Sequence, residues 1–116
     1  MILRVAAALT CVLISGVSIP AAPDNKTIEN AKRIYMENCA ACHGASGGGD
    51  GPAAATLKPK PRNFKEGKFL YGDSMAQLKK TIKNGVKGSA MPAWGPTLKD
   101  TEIEIVIGFI KSLKSL

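Results

Sequence analysis

The stretch Cys39-Ala40-Ala41-Cys42-His43 decides how this chain folds and what it binds. The spacing C-x-x-C-H is the attachment signature of a c-type haem. Two thiols on one turn of chain are placed to add to the two vinyl groups of a single porphyrin, and the next imidazole projects at the iron from the same side. The motif therefore predicts covalent thioether bonds from Cys39 and Cys42, and ligation of the iron by His43.

The N-terminus has the pattern of a secretory signal peptide, for which we predict residues 1–22. Arg4 is the lone charge before an apolar run from Val5 to Ile19, and small residues up to Ala22 offer a cleavage site. The remaining residues, 23–116, have the length of one small domain.

Two other interpretations of the N-terminus are weaker. The apolar run is shorter than the roughly 20 residues that span a bilayer, so removal is favoured over an uncleaved membrane anchor. A lipoprotein is disfavoured because the hydrophobic stretch continues beyond Cys11. We therefore expect a periplasmic protein with no membrane span in its mature form.

The predicted mature domain is basic and short of aromatic residues. Without Arg4 it has 15 basic and 9 acidic side chains, a net charge of +6. A basic exported protein more often meets an acidic protein patch than nucleic acid, and no nucleic-acid motif is present. Six aromatic side chains are few for an unaided core, but they suffice if a haem supplies a large apolar surface.

Helical periodicity predicts an all-α fold of three main helices with long loops around the haem. The first helix leads into the haem motif, with a cap expected within residues 25–27. Ser74 and Thr101 each begin a capping-box pattern, and these open the middle and last helices. No segment alternates with period two. The predicted inward positions are Ile28, Ala31, Ile34 and Tyr35, then Met75, Leu78 and Ile82, then Ile103, Val106, Ile107, Ile110 and Leu113.

The second iron ligand must be sought away from the haem motif. Only one histidine exists, so two histidine ligands from this chain are excluded. Met1 leaves with the signal peptide, Met36 is too close to Cys39, and Met75 has the spacing of a core residue. Met91 lies in a loop between Gly88 and Pro92, and a thioether suits an iron that cycles between two oxidation states.

These motifs, in this order, give the chain a family resemblance. The haem motif, then Asp50-Gly51-Pro52, then Ala90-Met91-Pro92 and a terminal amphipathic helix resemble a small class I cytochrome c of the bacterial monohaem periplasmic type. The resemblance implies one covalent haem c with its iron held axially by His43 and Met91. It also implies that the first and last helices cross, and that the Pro52 carbonyl accepts the histidine N–H.

Other residues are candidates for the surroundings of the haem. Arg62, Asn63 and Trp94 have donors that would meet propionate oxygens, with surface solvation as the alternative for the first two. Two basic flanks, either of which would surround the exposed haem edge and steer a partner, contain Lys58, Lys60, Lys65 and Lys68, and Lys79, Lys80, Lys83 and Lys87.

The leading functional hypothesis is a soluble one-electron carrier between redox proteins, because two filled axial positions leave no open site for a substrate. A peroxidase-like enzyme or gas sensor would require a displaced Met91, and no distal acid–base pair is visible. A thiol–disulfide oxidoreductase would require a βαβ context, which is missing. A haem subunit of a larger dehydrogenase or oxidase remains open beside the free carrier.

Overall fold

The computed structural model describes residues 11–13 and 15–115. The helices are α1 (Asn25–Asn38), the single turn α2 (Ala40–His43), α3 (Met75–Asn84) and α4 (Asp100–Ser112). Three short 3-10 turns, Ala54–Thr56, Phe64–Glu66 and Leu113–Ser115, complete the regular structure, and the described residues include no β-strand. The all-α fold with three main helices is therefore confirmed.

Half of the predicted signal peptide, residues 1–10 and position 14, lies outside the described residues. Residues 15–24 have no regular secondary structure, and side chains such as Val17 are exposed. Within the described part of the chain, none of the helices has the length and apolar character needed to cross a bilayer.

The core forms where α1 crosses α4, as the resemblance implied. The rings of Tyr35 and Phe109 meet with centroids 5.1 Å apart. All five predicted apolar positions of α4 and its extension are buried, as are three of the four in α1. Fully burying one large aliphatic side chain contributes about 1.5–3 kcal/mol, so the side chains buried at this crossing stabilise the fold substantially.

Two predicted core positions are instead exposed. Ile28 is 47% exposed and Met75 is 43% exposed. Each lies near the start of its helix, and the buried positions begin three residues later, at Ala31 and Leu78. Periodicity identifies the helix face on which both residues lie. It does not show that the neighbouring segments cover this face only from the second turn of each helix onward.

The capping box predicted for α3 is confirmed, whereas α1 and α4 are capped by residues other than the predicted ones. Ser74 and Gln77 make both bonds of the predicted capping box. α1 begins earlier than expected, with the Asp24 carboxylate accepting from the N–H of Thr27 at 2.7 Å. α4 begins after Lys99, whose N–H donates to Glu102; the lysine side chain has no acceptor, so only half of a capping box forms.

Candidate haem site

The haem motif forms one helical turn directly after α1. The N–H of Cys39 donates to the carbonyl of Tyr35, and the N–H of His43 donates to the carbonyl of Cys39. Cys42 follows Cys39 by three residues, so the two thiols lie on the same side of the turn. Cys39, Cys42 and His43 all line one open cavity of about 270 Å³.

The imidazole of His43 is held by the backbone of a distant loop. Its Nδ1 lies 3.0 Å from the carbonyl oxygen of Arg62. Because a carbonyl can only accept, Nδ1 must carry the proton, which leaves the Nε2 lone pair free for a metal. Burial lowers the pKa of His43 below its ordinary value, against a smaller opposing effect of this hydrogen bond. The ring is therefore neutral near pH 7, as an iron ligand must be.

The predicted acceptor, Pro52, does not fill this role. The loop after His43 folds back on α2, where the N–H groups of Gly51 and Ala53 donate to the carbonyls of Cys42 and Ala41. A side chain at Gly51 would collide with this helical backbone. Pro52 is consequently exposed beside the end of α2, outside the cavity lining, while the chain from Pro61 to Phe64 crosses the imidazole.

Phe64 is a site residue that the sequence analysis missed. Its ring is stacked on the imidazole of His43 with centroids 4.4 Å apart and planes 16° apart. Phe64 is itself buried and meets Tyr35 edge-on at 6.4 Å. The Phe64 ring therefore fixes the plane of the His43 imidazole. Its only sequence signal is a lone aromatic residue within a basic, proline-rich segment.

Tyr35 also supports the haem motif in a way that helical spacing does not reveal. Its fully buried hydroxyl donates to the carbonyl of Gly44 at 2.7 Å. Burial is the main cause that raises the pKa of Tyr35, so the hydroxyl remains a donor throughout the physiological range. This bond joins α1 to the residue that follows His43.

The structure brings Met91 to the same cavity as the haem motif. Met91 is partly buried and packs against the core, whereas Met36 and Met75 are exposed and outside the cavity lining. The loop that carries Met91 is joined to the end of α3, since the N–H groups of Trp94 and Gly95 donate to carbonyls of its last turn. Among the described residues, Met91 is the one methionine lining this cavity.

Arg62 and Trp94 both line the cavity and are partly buried. The backbone carbonyl of Arg62 accepts the hydrogen bond of His43. Asn63 is placed differently, because its side-chain oxygen caps the following 3-10 turn by accepting from the N–H of Lys65. Arg62 and Trp94 are thus residues of the cavity lining, whereas Asn63 is not.

The residues at the cavity fit a covalently attached haem. Cys39 and Cys42 are free thiols, and the other lining residues are mostly apolar. Burial, with a smaller effect of Cys42, raises the pKa of Cys39 to about 11, so this thiol is protonated near neutral pH. The cavity thus offers two thiols, one imidazole with a free nitrogen and one thioether. The two thiols could bond to the porphyrin of a haem, and the imidazole and the thioether are the pair of iron ligands found in cytochromes c.

The two basic flanks differ in their charge environment. The Nζ of Lys79 lies 3.1 Å from Asp100 and 2.6 Å from Glu104, and Lys83 lies 2.8 Å from Asp100. These ion pairs join α3 to α4 and neutralise that flank in part. On the other flank, Lys60 is exposed and lines the cavity itself.

One helical turn with two thiols and an imidazole, facing an apolar cavity that also holds a thioether, defines a c-type cytochrome. The family model described as cytochrome C oxidase, cbb3-type, subunit III, matches residues 26–110, and the chain belongs to this family. Membership implies a haem c with its iron and supports a role in electron transfer.

Individual relatives agree with this assignment. The chain is 36% identical over 94 residues to the cbb3-type cytochrome c oxidase subunit FixP of Azorhizobium caulinodans, covering 80% of this chain but 30% of the relative. It is 26% identical over 105 residues to cytochrome c55X of Paracoccus denitrificans, covering 89% of this chain and 90% of that protein.

A solved structure extends the similarity to the fold. A chain of the reducing HAO-like protein complex of Kuenenia stuttgartiensis superposes with a TM-score of 0.72 at 34% identity, covering 82% of this chain and 47% of the other. The all-α cytochrome c fold is therefore confirmed. The chain spans about a third of the FixP relative and about half of this structural neighbour.

Proposed function

We propose that this protein is an exported one-electron carrier with a single haem c, bound through Cys39 and Cys42 and ligated by His43 and Met91. The observation that carries the proposal is the convergence of these four side chains on one apolar cavity. The chain has one C-x-x-C-H sequence, which supports one haem. The predicted signal peptide over residues 1–22 supports a periplasmic location.

The contacts of the residues around the cavity indicate the role of each. When bound, the haem supplies an iron that alternates between the ferric and ferrous states. The Arg62 carbonyl and the Phe64 ring hold the imidazole of His43 in one tautomer and one plane. With His43 and Met91 both holding the iron, a substrate would have to displace Met91, which would favour electron exchange over substrate chemistry.

We place the docking surface for redox partners on the flank that contains Lys58, Lys60, Lys65 and Lys68. Electrons leave a haem most readily where its edge is near the surface, and Lys60 lies at the cavity itself. Lys79 and Lys83 are engaged by carboxylates of α4. An acidic patch beside the partner's own redox centre would complement the first flank and accelerate encounter.

Charge reversal on the two flanks tests this placement. The double variant Lys58→Glu and Lys60→Glu is matched by Lys80→Glu and Lys87→Glu, which has the same change in net charge on exposed side chains. We expect the first pair to slow the second-order reaction with an acidic redox partner by about tenfold or more at low salt, and the second pair to have a smaller effect. Equal slowing would contradict the placement.

A second candidate is a haem domain that works within an oxidase complex. The FixP relative is named as a subunit of cbb3-type cytochrome c oxidase, which favours an oxidase as the partner. Stopped-flow mixing of the reduced protein with membranes from its own source tests both candidates. Repeated, concentration-dependent oxidation supports a free carrier, whereas a haem that sediments with the membranes and stays there supports a resident domain.

Peroxide provides the contrasting test. A carrier with both axial positions filled reacts slowly with hydrogen peroxide, and its reduced form is reoxidised by protein partners instead. Fast peroxide turnover, with saturation in peroxide, would favour the enzymatic hypothesis over the carrier.

A further inference from the structure

The loop that carries Met91 is closed by hydrogen bonds between its two limbs. We call residues 86–91 the Met91 loop. At its base, the N–H of Val86 donates to the carbonyl of Met91 at 3.2 Å. The preceding Gly85 has φ +68°, and an added Cβ there would lie 2.7 Å from the Met91 oxygen. The two limbs are therefore packed backbone against backbone.

The hydroxyl of Ser89 forms a second closure inside this loop. It donates to the carbonyl of Val86 at 2.7 Å and accepts from the N–H of Met91 at 3.2 Å. Ser89 is partly buried and lines the same cavity as Met91. One side chain thus joins the start of the loop to the backbone of the residue that provides the thioether.

We propose that Ser89 is a positioning residue for the axial thioether: its hydroxyl stabilises the loop conformation that holds Met91 in the haem cavity. This inference rests on the proposed ligation of the iron by Met91. The Val86 carbonyl also accepts from the N–H of Ser89 at 3.1 Å, so removal of the hydroxyl leaves it with a partner. Among the described residues, the Met91 N–H donates to the Ser89 hydroxyl and to no other acceptor.

The consequence is a change in how easily Met91 is displaced. An external ligand such as imidazole binds only after the thioether has left the iron, and this requires the loop to open. The hydroxyl bonds of Ser89 would be lost when the loop opens. Ser89→Ala therefore lowers the free-energy cost of opening and raises the affinity for imidazole. A net loss of one hydrogen bond corresponds to an imidazole affinity that is about three- to tenfold higher.

The test is an imidazole titration of the ferric holoprotein, followed by loss of the sulfur-to-iron charge-transfer band. We expect Ser89→Ala and Ser89→Gly to bind imidazole about three- to tenfold more tightly than the unmodified protein. Ser89→Thr keeps the hydroxyl and should restore the original affinity. The matched control is Ser112→Ala, which removes a hydroxyl bonded to Phe109 on α4, away from the cavity.

The outcomes separate the inference from the function on which it rests. If the unmodified ferric protein has no sulfur-to-iron band, Met91 is not the ligand, and both the ligation and the role of Ser89 are overturned. If the band is present but Ser89→Ala binds imidazole with the original affinity, the role of Ser89 alone is overturned. A rise shared equally by Ser112→Ala would also overturn it, because the effect would then reflect general stability.

Discussion

Replacing Tyr35 with phenylalanine isolates one hydrogen bond that supports the haem motif. The Tyr35 hydroxyl donates to the carbonyl of Gly44 from a fully buried position. The ring packs against Phe109 and Phe64, and these contacts are kept when only the oxygen is removed. The change in the free energy of unfolding therefore reports the contribution of the hydrogen bond rather than that of the packing.

The size of the effect depends on what the Gly44 carbonyl retains. This oxygen also accepts from the N–H of Gly47 at 3.0 Å, so it keeps one partner in the variant. We therefore expect the net value of an ordinary hydrogen bond, about 1 kcal/mol, rather than the larger penalty for a fully unsatisfied group. For a domain of this size, 1 kcal/mol lowers the Tm by about 4–8 °C.

The assay is urea unfolding of the ferric holoprotein, monitored by haem absorbance and by far-ultraviolet circular dichroism. Tyr71→Phe is the matched control, because Tyr71 is 58% exposed and its loss of a hydroxyl should change the free energy of unfolding very little. If Tyr35→Phe and the control change the free energy of unfolding equally, the buried hydrogen bond does not stabilise the fold, contrary to this prediction. A loss above about 3 kcal/mol would also refute it, because the ring must then have repacked.

Three further predictions follow from the site and the ion pairs. Arg62→Ala should leave the ferric absorption spectrum unchanged, because the acceptor of the His43 hydrogen bond is the backbone carbonyl of residue 62. A shifted ferric spectrum would show that the Arg62 side chain also affects the haem. Phe64→Leu should alter the electron paramagnetic resonance g values, which report the plane of the imidazole, and unchanged values would contradict the stacking argument. The double variant Asp100→Asn and Glu104→Gln should lower the urea midpoint more at low salt than at high salt, because salt weakens the ion pairs with Lys79. Equal losses at both salt concentrations would contradict an electrostatic origin.

Local patterns in the sequence predicted the helices well because each helix has its own periodicity. The positions from Ile103 to Leu113 are buried as the three- and four-residue spacing required. Ser74 and Gln77 form the expected capping box because both partners lie within one turn. The misplaced caps of α1 and α4 show that neighbouring residues compete for this role, and Asp24 is a strong acceptor immediately before the predicted cap.

The surroundings of His43 could not be predicted in the same way. The Arg62 carbonyl is 19 residues from the histidine, and any backbone carbonyl in the loops has the same chemistry. What selects it is the path of the glycine-rich loop, which folds back on α2 and carries Pro52 away from the ring. Such a path depends on contacts between distant segments, for which no periodic pattern exists. The stacking of Phe64 on His43 has the same origin, because it depends on where the segment from Pro61 to Phe64 passes the imidazole.

The proposed function requires that His43 and Met91 together complete the coordination of one haem iron. The most direct test is the absorption spectrum of the purified protein, oxidised and then reduced with dithionite, before and after addition of carbon monoxide. Coordination by both residues predicts a sharp low-spin reduced spectrum that carbon monoxide does not change, and a ferric sulfur-to-iron band that disappears in Met91→Ala. A reduced spectrum that shifts with carbon monoxide would reveal an open or labile position at the iron and exclude Met91 as a firmly bound ligand.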